Sequence, residues 1–438
     1  MAILGKNSVH ISETTFQIEA EHMTTQYRVI DSIMGSGKTT KIIEELRQAD
    51  PEKHRYLVIT PYLPEVERIT NAVPELNFAT PSSAESSKLS ALHKLLEAGE
   101  NIASTHALFK RWNASTLEML RSYNYELIID ETVDCIREYG AATGELSSSD
   151  IMMQIDSGQI IVDEDKRLVW NSERKLAYNS VYAQLKHDCD AGRLYCMGLS
   201  DDADGVMFWE FPIELLNAFQ SVTILTYLFS GSLMAAYLEG NDVLPVRQTI
   251  DGNHNLVDWS EELEDQAIDP VAALINLFEE EKLNEVGERK TAFSTGWLKG
   301  QGPAALKGIS NSTFNVLQNK FKANKDTVMW SCIKSFEGDL RPRGFKGGYI
   351  ACNARATNEY RGRSHLAYLR NIYMTPILHQ FYRSMRGVDP CNDAYALAEL
   401  LQWVFRSAIR DGKPIDLYLP SSRMRKLLKG WMGTPKDR

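Results

Sequence analysis

A glycine-rich turn near the beginning of the chain carries the first residues that could do chemistry. In the segment Asp31-Ser-Ile-Met-Gly-Ser-Gly-Lys-Thr-Thr40, a strand leads into glycines and a helix begins at the lysine. Glycines let the backbone curl so that successive N–H groups face one anion, and the helix adds its positive end. The pattern predicts that nucleotide phosphates and Mg²⁺ bind here, with the Thr39 hydroxyl on the metal. The predicted phosphate-binding residues are Gly35, Ser36, Gly37, Lys38, Thr39 and Thr40. Ser32 stands where the general pattern has Gly or Ala, and the alternative is a helix start without a ligand.

A pair of carboxylates supplies the partner that nucleotide hydrolysis requires. The apolar run Leu127-Ile-Ile-Asp-Glu131 ends in two acids, and Asp130 follows Lys38 by 92 residues. We expect Asp130 to hold the Mg²⁺ shell and Glu131 to polarise the attacking water. The alternative is an apolar strand that ends in solvated acids.

Short β-branched runs alternate with helical stretches around these motifs. The predicted strands are 27–33, 56–60, 101–104, 126–130 and 221–227, and the predicted helices are 38–48, 63–72 and 89–98. This alternation implies right-handed crossovers and a parallel sheet covered on both faces, which is an α/β fold.

Length and composition limit the class of protein. With 438 residues and 49.5 kDa the chain predicts two or three domains, and 43% hydrophobic residues are enough to fill their cores. The net charge of -10 excludes a uniformly basic coat, although it leaves room for local basic surfaces. The six cysteines form no CxxC pair, which argues against a zinc ribbon or a disulfide scaffold and for a reducing compartment.

Two segments are interpreted with respect to membranes and processing. Residues 219–238 carry no charge over a length that could span a bilayer, but their polar content predicts a buried strand, a loop and a helix start. We therefore expect no membrane association. Residues 1–23 are interpreted as an N-terminal extension, with a natural start at Met23.

The pattern changes within the chain at two places. Between about 140 and 215 the runs 160–162 and 168–170 flank an acidic turn and predict a surface hairpin, within an insertion in the first domain. Farther on, residues 258–288 carry eleven acids and one Lys, whereas 341–370 and 402–429 each carry seven basic residues. We expect the basic stretches to contact nucleic acid. The alternatives are a solvated surface and pairing with the acidic segment.

On these motifs the chain resembles the superfamily 2 helicases across most of residues 27–420. Met34-Gly-Ser-Gly-Lys-Thr39 looks like motif I, and Asp130-Glu131-Thr132-Val133 resembles the DEAx box of motif II. Residues 354–361 look like motif V, and Gln402-Trp-Val-Phe-Arg-Ser-Ala-Ile-Arg410 resembles motif VI. The spacing departs from the motif VI pattern, which makes Arg406 a better candidate than Arg410 for an arginine finger. A narrower similarity points to bacteriophage helicases and replication-origin-binding proteins.

The resemblance implies two tandem RecA-like parallel-sheet domains that bind ATP and Mg²⁺ between them. It assigns residues 24–245 to domain 1 and 246–438 to domain 2. Gln402, Arg406 and Arg410 would complete the catalytic site, and Thr226 and Tyr227 would couple it to the strand. The implied nucleic-acid contacts are Thr60, Pro61, Tyr62, Ser104, Thr105, His106, Asn353, Arg355, Thr357, Arg361 and Arg363.

The function expected from this resemblance is an ATP-dependent DNA helicase or translocase of phage replication or recombination. It would act as a monomer on single-stranded or branched DNA, with replication proteins as partners, in the cytoplasm of a bacterial host. The alternatives are an RNA helicase and a DNA-binding switch or scaffold that holds ATP without unwinding. A small-molecule kinase would leave the second half unexplained, and a packaging motor would need a carboxylate cluster where this chain is basic.

Overall fold

The computed structural model of the chain describes residues 25–82, 87–140, 144–173, 180–198, 205–352 and 359–433. The N-terminal extension expected at 1–23 lies outside these ranges, as do Asn353, Arg355 and Thr357. Within the described ranges, none of the helices combines the length and apolar character needed to cross a bilayer.

The described strands are the following in chain order: β1 Gln26–Asp31, β2 Arg55–Thr60, β3 Ile102–Thr105, β4 Tyr125–Asp130, β5 Ile136–Glu138, β6 Ile160–Val162, β7 Leu168–Trp170, β8 Leu194–Met197, β9 Val206–Glu210, β10 Ser221–Thr226, β11 Val246–Ile250, β12 Leu256–Asp258, β13 Ile275–Leu277, β14 Val328–Cys332, β15 His365–Leu369 and β16 Ile415–Tyr418.

The described α-helices are α1 Lys38–Gln48, α2 Leu63–Ala72, α3 Lys88–Glu97, α4 His106–Phe109, α5 Ala114–Leu120, α6 Ser148–Asp156, α7 Ala183–Asp190, α8 Ile213–Leu216, α9 Leu233–Glu239, α10 Glu261–Ala272, α11 Glu281–Asn284, α12 Thr295–Lys299, α13 Pro303–Asn315, α14 Glu337–Leu340, α15 Pro376–Met385, α16 Asn392–Val404 and α17 Ser422–Trp431. Short 3₁₀ turns lie at Phe229–Gly231 and Ala408–Asp411.

The first sheet has seven strands in the order β12-β11-β1-β10-β4-β2-β3. All its neighbours pair in parallel except the edge pair β11 and β12. Its central strands are continuous apolar runs because helices cover both faces. The carboxyl ends of β1, β10, β4 and β2 therefore meet at one edge, where ligands bind in open α/β sheets.

The second sheet has four parallel strands in the order β13-β16-β15-β14, again with an apolar core on each face. Two parallel-sheet units in tandem confirm the predicted fold class. One of the second unit's cores also contains Ile33 and Tyr227 from the first unit, so the two units share a packed contact.

The insertion in the first domain forms a three-stranded antiparallel sheet, β5-β9-β8, together with the hairpin β6–β7. The hairpin has the predicted bounds, and Ile161 pairs with Val169. The uncharged stretch 219–238 folds as predicted into a buried strand, a short turn and a helix.

Helix α15 follows strand β15 of the second sheet in the chain, but it packs on the insertion of the first unit. The ring centres of Phe381 and Phe208 lie 4.3 Å apart with the rings tilted by 33°, and Arg386 Nε donates to Glu210 Oε1 at 3.0 Å. The Tyr382 hydroxyl donates to the Leu233 carbonyl at 3.0 Å. We call α15 the brace helix, because it ties a late segment of the chain to the first domain's core.

The predicted domain boundary at 245/246 does not match the sheets. Strands β11 and β12 belong to the first sheet, so that unit extends at least to Asp258. The brace helix also packs with the first unit although it lies far inside the predicted second domain. Neither feature has a local signal, since a strand or helix pattern does not specify which sheet or core the element will join.

Candidate nucleotide site

The glycine-rich turn after β1 has the backbone of an anion cradle. Gly35 and Gly37 have φ angles of +85° and +96°, in the left-handed region that favours glycine. A Cβ built on either glycine would meet nothing within 4 Å, so the turn faces open space. Helix α1 starts directly after Gly37 and directs its N-terminal end toward this turn.

Lys38 is folded back over the turn. Its Nζ donates to the carbonyl oxygens of Ser32, at 2.5 Å, and Ile33, at 3.1 Å. Burial lowers the pKa of Lys38 to about 8, while nearby carboxylates, Asp130 first, oppose this shift. An ammonium group held by backbone carbonyls can exchange them for the stronger phosphate acceptors.

Asp130 and Glu131 lie at the carboxyl end of β4. Burial is the main reason that the pKa of Asp130 is raised to about 6, and the Glu131 carboxylate adds to it. Glu131 has a left-handed φ of +63°, and its backbone N–H donates to the Leu225 carbonyl at 2.9 Å. This bond fixes the backbone of Glu131 against strand β10.

One cavity of about 540 Å³ contains side chains from both units. From the first unit it is lined by Gly35, Gly37, Lys38, Thr39, Thr40, Asp130 and Glu131, together with Thr226 and Tyr227. From the second unit it is lined by Arg361, Gln402, Phe405, Arg406 and Arg410. We call this space the nucleotide cavity. Arg406 is nearly buried, whereas Arg410 is exposed, and the charge of Arg410 acts on Lys38.

The two residues expected to couple the ATP site to the nucleic-acid strand, Thr226 and Tyr227, lie beside the contact between the units. Thr226 ends β10, and the buried Tyr227 hydroxyl accepts a hydrogen bond from Trp431 Nε1 at 2.7 Å. Trp431 ends helix α17 of the second unit. Thr226, which lines the cavity, is therefore adjacent in sequence to a residue that contacts the other unit.

Asp31 anchors the base of the glycine-rich turn. Its Oδ2 accepts from Arg247 Nη2 at 2.7 Å and from the Phe229 backbone N–H at 3.0 Å. Arg247 stacks over the Trp259 ring at 3.8 Å. Asp31 therefore joins the turn to β11 and to the 3₁₀ turn that follows β10.

Three of the expected nucleic-acid contacts are buried. Thr60 donates its hydroxyl to the Tyr62 carbonyl at 3.0 Å, Ser104 is packed in β3, and His106 Nε2 donates to the Asp130 carbonyl at 2.9 Å. Their side chains are buried in the described structure, and the nucleic-acid contact that the resemblance implies for them stays a prediction. Tyr62 is exposed, and Thr105 is half-buried. Thr105 pairs in register with Thr60, which precedes Tyr62 by two residues. Pro61 lines the nucleotide cavity.

Arg361 and Arg363 of the first basic stretch have local partners. Arg361 Nε donates to Asp411 Oδ1 at 2.5 Å, and Arg361 lines the nucleotide cavity. Arg363 Nη1 donates to the Lys325 carbonyl at 2.5 Å. Arg361 thus belongs to the nucleotide cavity, in addition to any contact with nucleic acid.

Part of the second basic stretch pairs within the fold. Arg425 forms an ion pair with Glu288, and Lys429 forms one with Glu279. Arg423 is buried, and its Nε donates to Asp393 Oδ1 at 2.8 Å. The ion pairs of Arg425 and Lys429 agree with the alternative of pairing to the acidic segment 258–288. Arg423 instead pairs with an acid outside that segment.

Glu65 and Arg68 of α2 also line the nucleotide cavity, and sequence reasoning missed them. The available signal was their i,i+3 spacing on the helix after β2, which places both on one face.

Comparisons with known proteins agree with this architecture. The sequence model of the YonV C-terminal Rossmann-like domain matches residues 269–432. The SPbeta prophage-derived protein YonV of Bacillus subtilis (strain 168) is 34% identical over 417 residues, which cover 92% of this chain and 98% of the relative. The chain belongs to the YonV family.

Two solved structures are similar to this chain along almost its whole length. An XPD structure in the apo form is similar with a TM-score of 0.50 at 13% identity, over 92% of this chain and 95% of that chain. The structure of S. tokodaii Xpd4 has a TM-score of 0.49 at 12% identity and covers 95% of both chains. The first likeness supports two tandem RecA-like units as the fold of this YonV family member.

Proposed function

We propose that the protein is an ATP-dependent DNA helicase or translocase of superfamily 2, which hydrolyses ATP between its two RecA-like units. The observation that carries this proposal is the nucleotide cavity, because Lys38 and Asp130 line it from one unit and Gln402 and Arg406 from the other. The fold shared with XPD, which is named as a helicase, supports the same conclusion.

The residues present fit ATP and Mg²⁺. Positive φ angles at Gly35 and Gly37 open the turn toward the cavity, and the buried Ser36 hydroxyl has no hydrogen-bond partner among the described residues. Gly35, Ser36, Gly37, Lys38, Thr39 and Thr40 would hold the phosphates, and Thr39 and Asp130 would hold the metal. Mg²⁺ in that position would neutralise phosphate charge and polarise the terminal phosphate.

The chain's own residues suit the hydrolytic step. Glu131 lies at the cavity wall with its backbone fixed, so its carboxylate can orient a water molecule. Arg406 would stabilise the charge that develops on the phosphate, and its position on the opposite wall makes that contribution depend on how closely the units approach. Loss of the terminal phosphate would weaken this closure, and repeated closure would move two grips along a strand.

The substrate proposed is single-stranded or branched DNA. Exposed Tyr62 and half-buried Thr105 at the carboxyl edge of the first sheet are candidates for contacts with the strand. Arg361 and Arg363 of the second unit are the other described candidates. The prophage origin of YonV supports a phage-related role in a bacterial host. The proposal further assigns the protein to DNA replication or recombination in the host cytoplasm, as a monomer beside replication proteins. An RNA helicase, or an ATP-binding switch without unwinding, is the alternative.

The test is nucleic-acid-stimulated ATPase activity, followed by strand displacement on forked and junction substrates. We expect single-stranded DNA to stimulate ATP hydrolysis by the unmodified chain more than RNA does. An equal or greater stimulation by RNA would favour the RNA helicase, and hydrolysis without displacement would favour the translocase or switch.

Arg406→Ala tests the two-sided site. Because Arg406 would act on the developing charge, we expect ATP binding to persist and hydrolysis to fall about 1,000-fold. Lys413→Ala is the matched control, since Lys413 is an exposed cation of the same region that does not line the cavity. Normal turnover in Arg406→Ala would remove Arg406 from the mechanism, and Arg410→Ala would then be the next variant to measure.

A further inference from the structure

Helix α2 forms a third wall of the nucleotide cavity. Its Val66 and Ile69 are buried in the core that covers the first sheet, and Glu65 and Arg68 line the cavity. The helix begins one turn after β2, and Pro64 in its first turn fixes that start. The position of Arg68 is therefore set by packed residues on either side of it.

The order of strands places this wall at one end of the phosphate path. Strand β1, which carries the glycine-rich turn, and strand β2, which carries α2, lie on opposite sides of β4. A chain of phosphates that starts on the glycine-rich turn and reaches Asp130 at the end of β4 therefore points its last member toward α2. Arg68 is the cation of that helix in the cavity.

The charges of the first unit's wall favour a cation in this position. Glu65, Asp130 and Glu131 bring three carboxylates into the cavity, against Lys38 and Arg68 from the same unit. The Arg68 charge also lowers the pKa of Asp130, against the effect of burial. One oxygen of Glu65, Oε2, is buried without a hydrogen-bond partner among the described residues, and a donor in the cavity would remove that cost.

We propose that Arg68 binds the terminal phosphate of ATP from the first unit, and so distinguishes ATP from ADP before the two units close. This inference rests on the proposed function. A guanidinium has the planar donor geometry that suits phosphate oxygens, and Arg68 makes no ion pair with a described carboxylate. Arg68 then acts before Arg406, which belongs to the other unit.

The experiment compares the affinities of Arg68→Ala for ATP and for ADP. Both are measured with Mg²⁺ by calorimetry, in a Glu131→Gln background that prevents turnover. We expect ATP to bind about 10-fold more weakly, in line with one lost charge-assisted hydrogen bond, and ADP to bind within twofold of the parent. Arg68→Lys should recover part of the loss, since it keeps the charge without the fork.

Glu67→Ala is the matched control, because Glu67 lies on the same helix, is exposed and does not line the cavity. Equal losses for ATP and ADP, or no loss for either, would overturn the role of Arg68. Weaker binding of single-stranded DNA with unchanged ATP affinity would also overturn it, because Arg68 would then contact the strand. If the parent chain bound no ATP, the proposed function would fail together with this inference. If the parent chain bound and hydrolysed ATP and Arg68→Ala bound ATP as tightly as the parent, this inference alone would fail.

Discussion

Asp130 and Lys38 have pKa values shifted in opposite directions for the same reason, since burial disfavours the charged form of each. The pKa of Asp130 is raised to about 6 and that of Lys38 is lowered to about 8. Between these values both groups are charged in the nucleotide-free protein, and each is close to losing its charge. The site is thus electrostatically costly until phosphate and metal reach it.

This arrangement predicts the pH dependence of Mg²⁺-dependent ATP binding. Asp130 can hold the metal only when it is ionised, so lowering the pH from 7 to 5 should weaken binding about 10-fold for a pKa near 6. Above pH 8 the loss of the Lys38 charge should weaken binding again. Calorimetric titrations between pH 5 and pH 9 measure the loss of ATP affinity at low pH and at high pH.

The control for the loss at low pH is Asp130→Asn, which lacks the titrating carboxyl group. Its ATP affinity should be low at pH 7 and should not fall by a further factor of about 10 between pH 7 and pH 5. A loss of ATP affinity centred near pH 4 would contradict the raised pKa of Asp130.

The glycine-rich turn and the acidic end of β4 were visible at the residue scale because short signals encode them. Glycine spacing specifies the backbone, and an apolar run that ends in acids specifies an edge of a sheet. The spacing of Glu65 and Arg68 indicated only a shared helix face. It did not place that face at the cavity, because this depends on which strands lie beside β2. The burial of Ser104 and His106 was likewise decided by packing that no local pattern records.

At the scale of elements, the 3₁₀ turn Phe229–Gly231 has a closer contact than its sequence indicates. A Cβ on Gly231 would lie 2.6 Å from the backbone oxygen of Ala394, near the start of α16. The same helix carries Gln402 toward its end. The turn after β10 thus sets the position of a helix from the opposite wall of the cavity.

Gly231→Ala should therefore disturb both stability and the ATP site. Neither backbone can yield cheaply, so we expect a loss of about 1–3 kcal/mol in the free energy of unfolding and reduced ATP hydrolysis. Chemical denaturation and ATPase measurements test this. Gly252→Ala is the control, because a Cβ there would meet nothing within 4 Å. Equal behaviour of the two variants would show that α16 does not depend on this contact.

The strands and helices that the sequence predicted for the first unit lie within about two residues of their observed bounds, because β-branched runs and helical spacing are local properties. The end of the first sheet was not. Strand β11 reads Val-Arg-Gln-Thr-Ile and joins β1, whereas the change in charge that suggested a boundary starts only near residue 258. The charge composition changes only after the last strand of the first sheet. The change therefore indicates where the second unit begins and does not indicate which strand ends the first sheet.

At the scale of the whole molecule, the brace helix α15 is fixed by a buried ion pair. Arg386 bonds Glu210, which is 4% exposed, and its guanidinium lies 4.6 Å from the centre of the Tyr195 ring. Breaking such a pair from one side leaves a buried charge without compensation. The contact therefore holds a late segment of the chain against the insertion.

Arg386→Ala should lower the free energy of unfolding by about 3 kcal/mol, because Glu210 would remain buried and unpaired. Chemical denaturation measures this loss. Arg383→Ala is the matched control, since Arg383 is an exposed cation on the same helix, and it should change stability little. A similar, small effect of both substitutions would mean that the brace helix is held by its apolar face alone.

Because α15 returns to the first unit, the polypeptide passes from one unit to the other three times, after β12, between β15 and α15, and between α15 and α16. A body attached at a single point can swing freely, but attachment at three separate points leaves only small rotations and slides. A motor built on this chain would therefore take its step by shear across the shared contact at Tyr227 and Trp431. The cleft between the units would not open widely while α15 stays packed on the first unit.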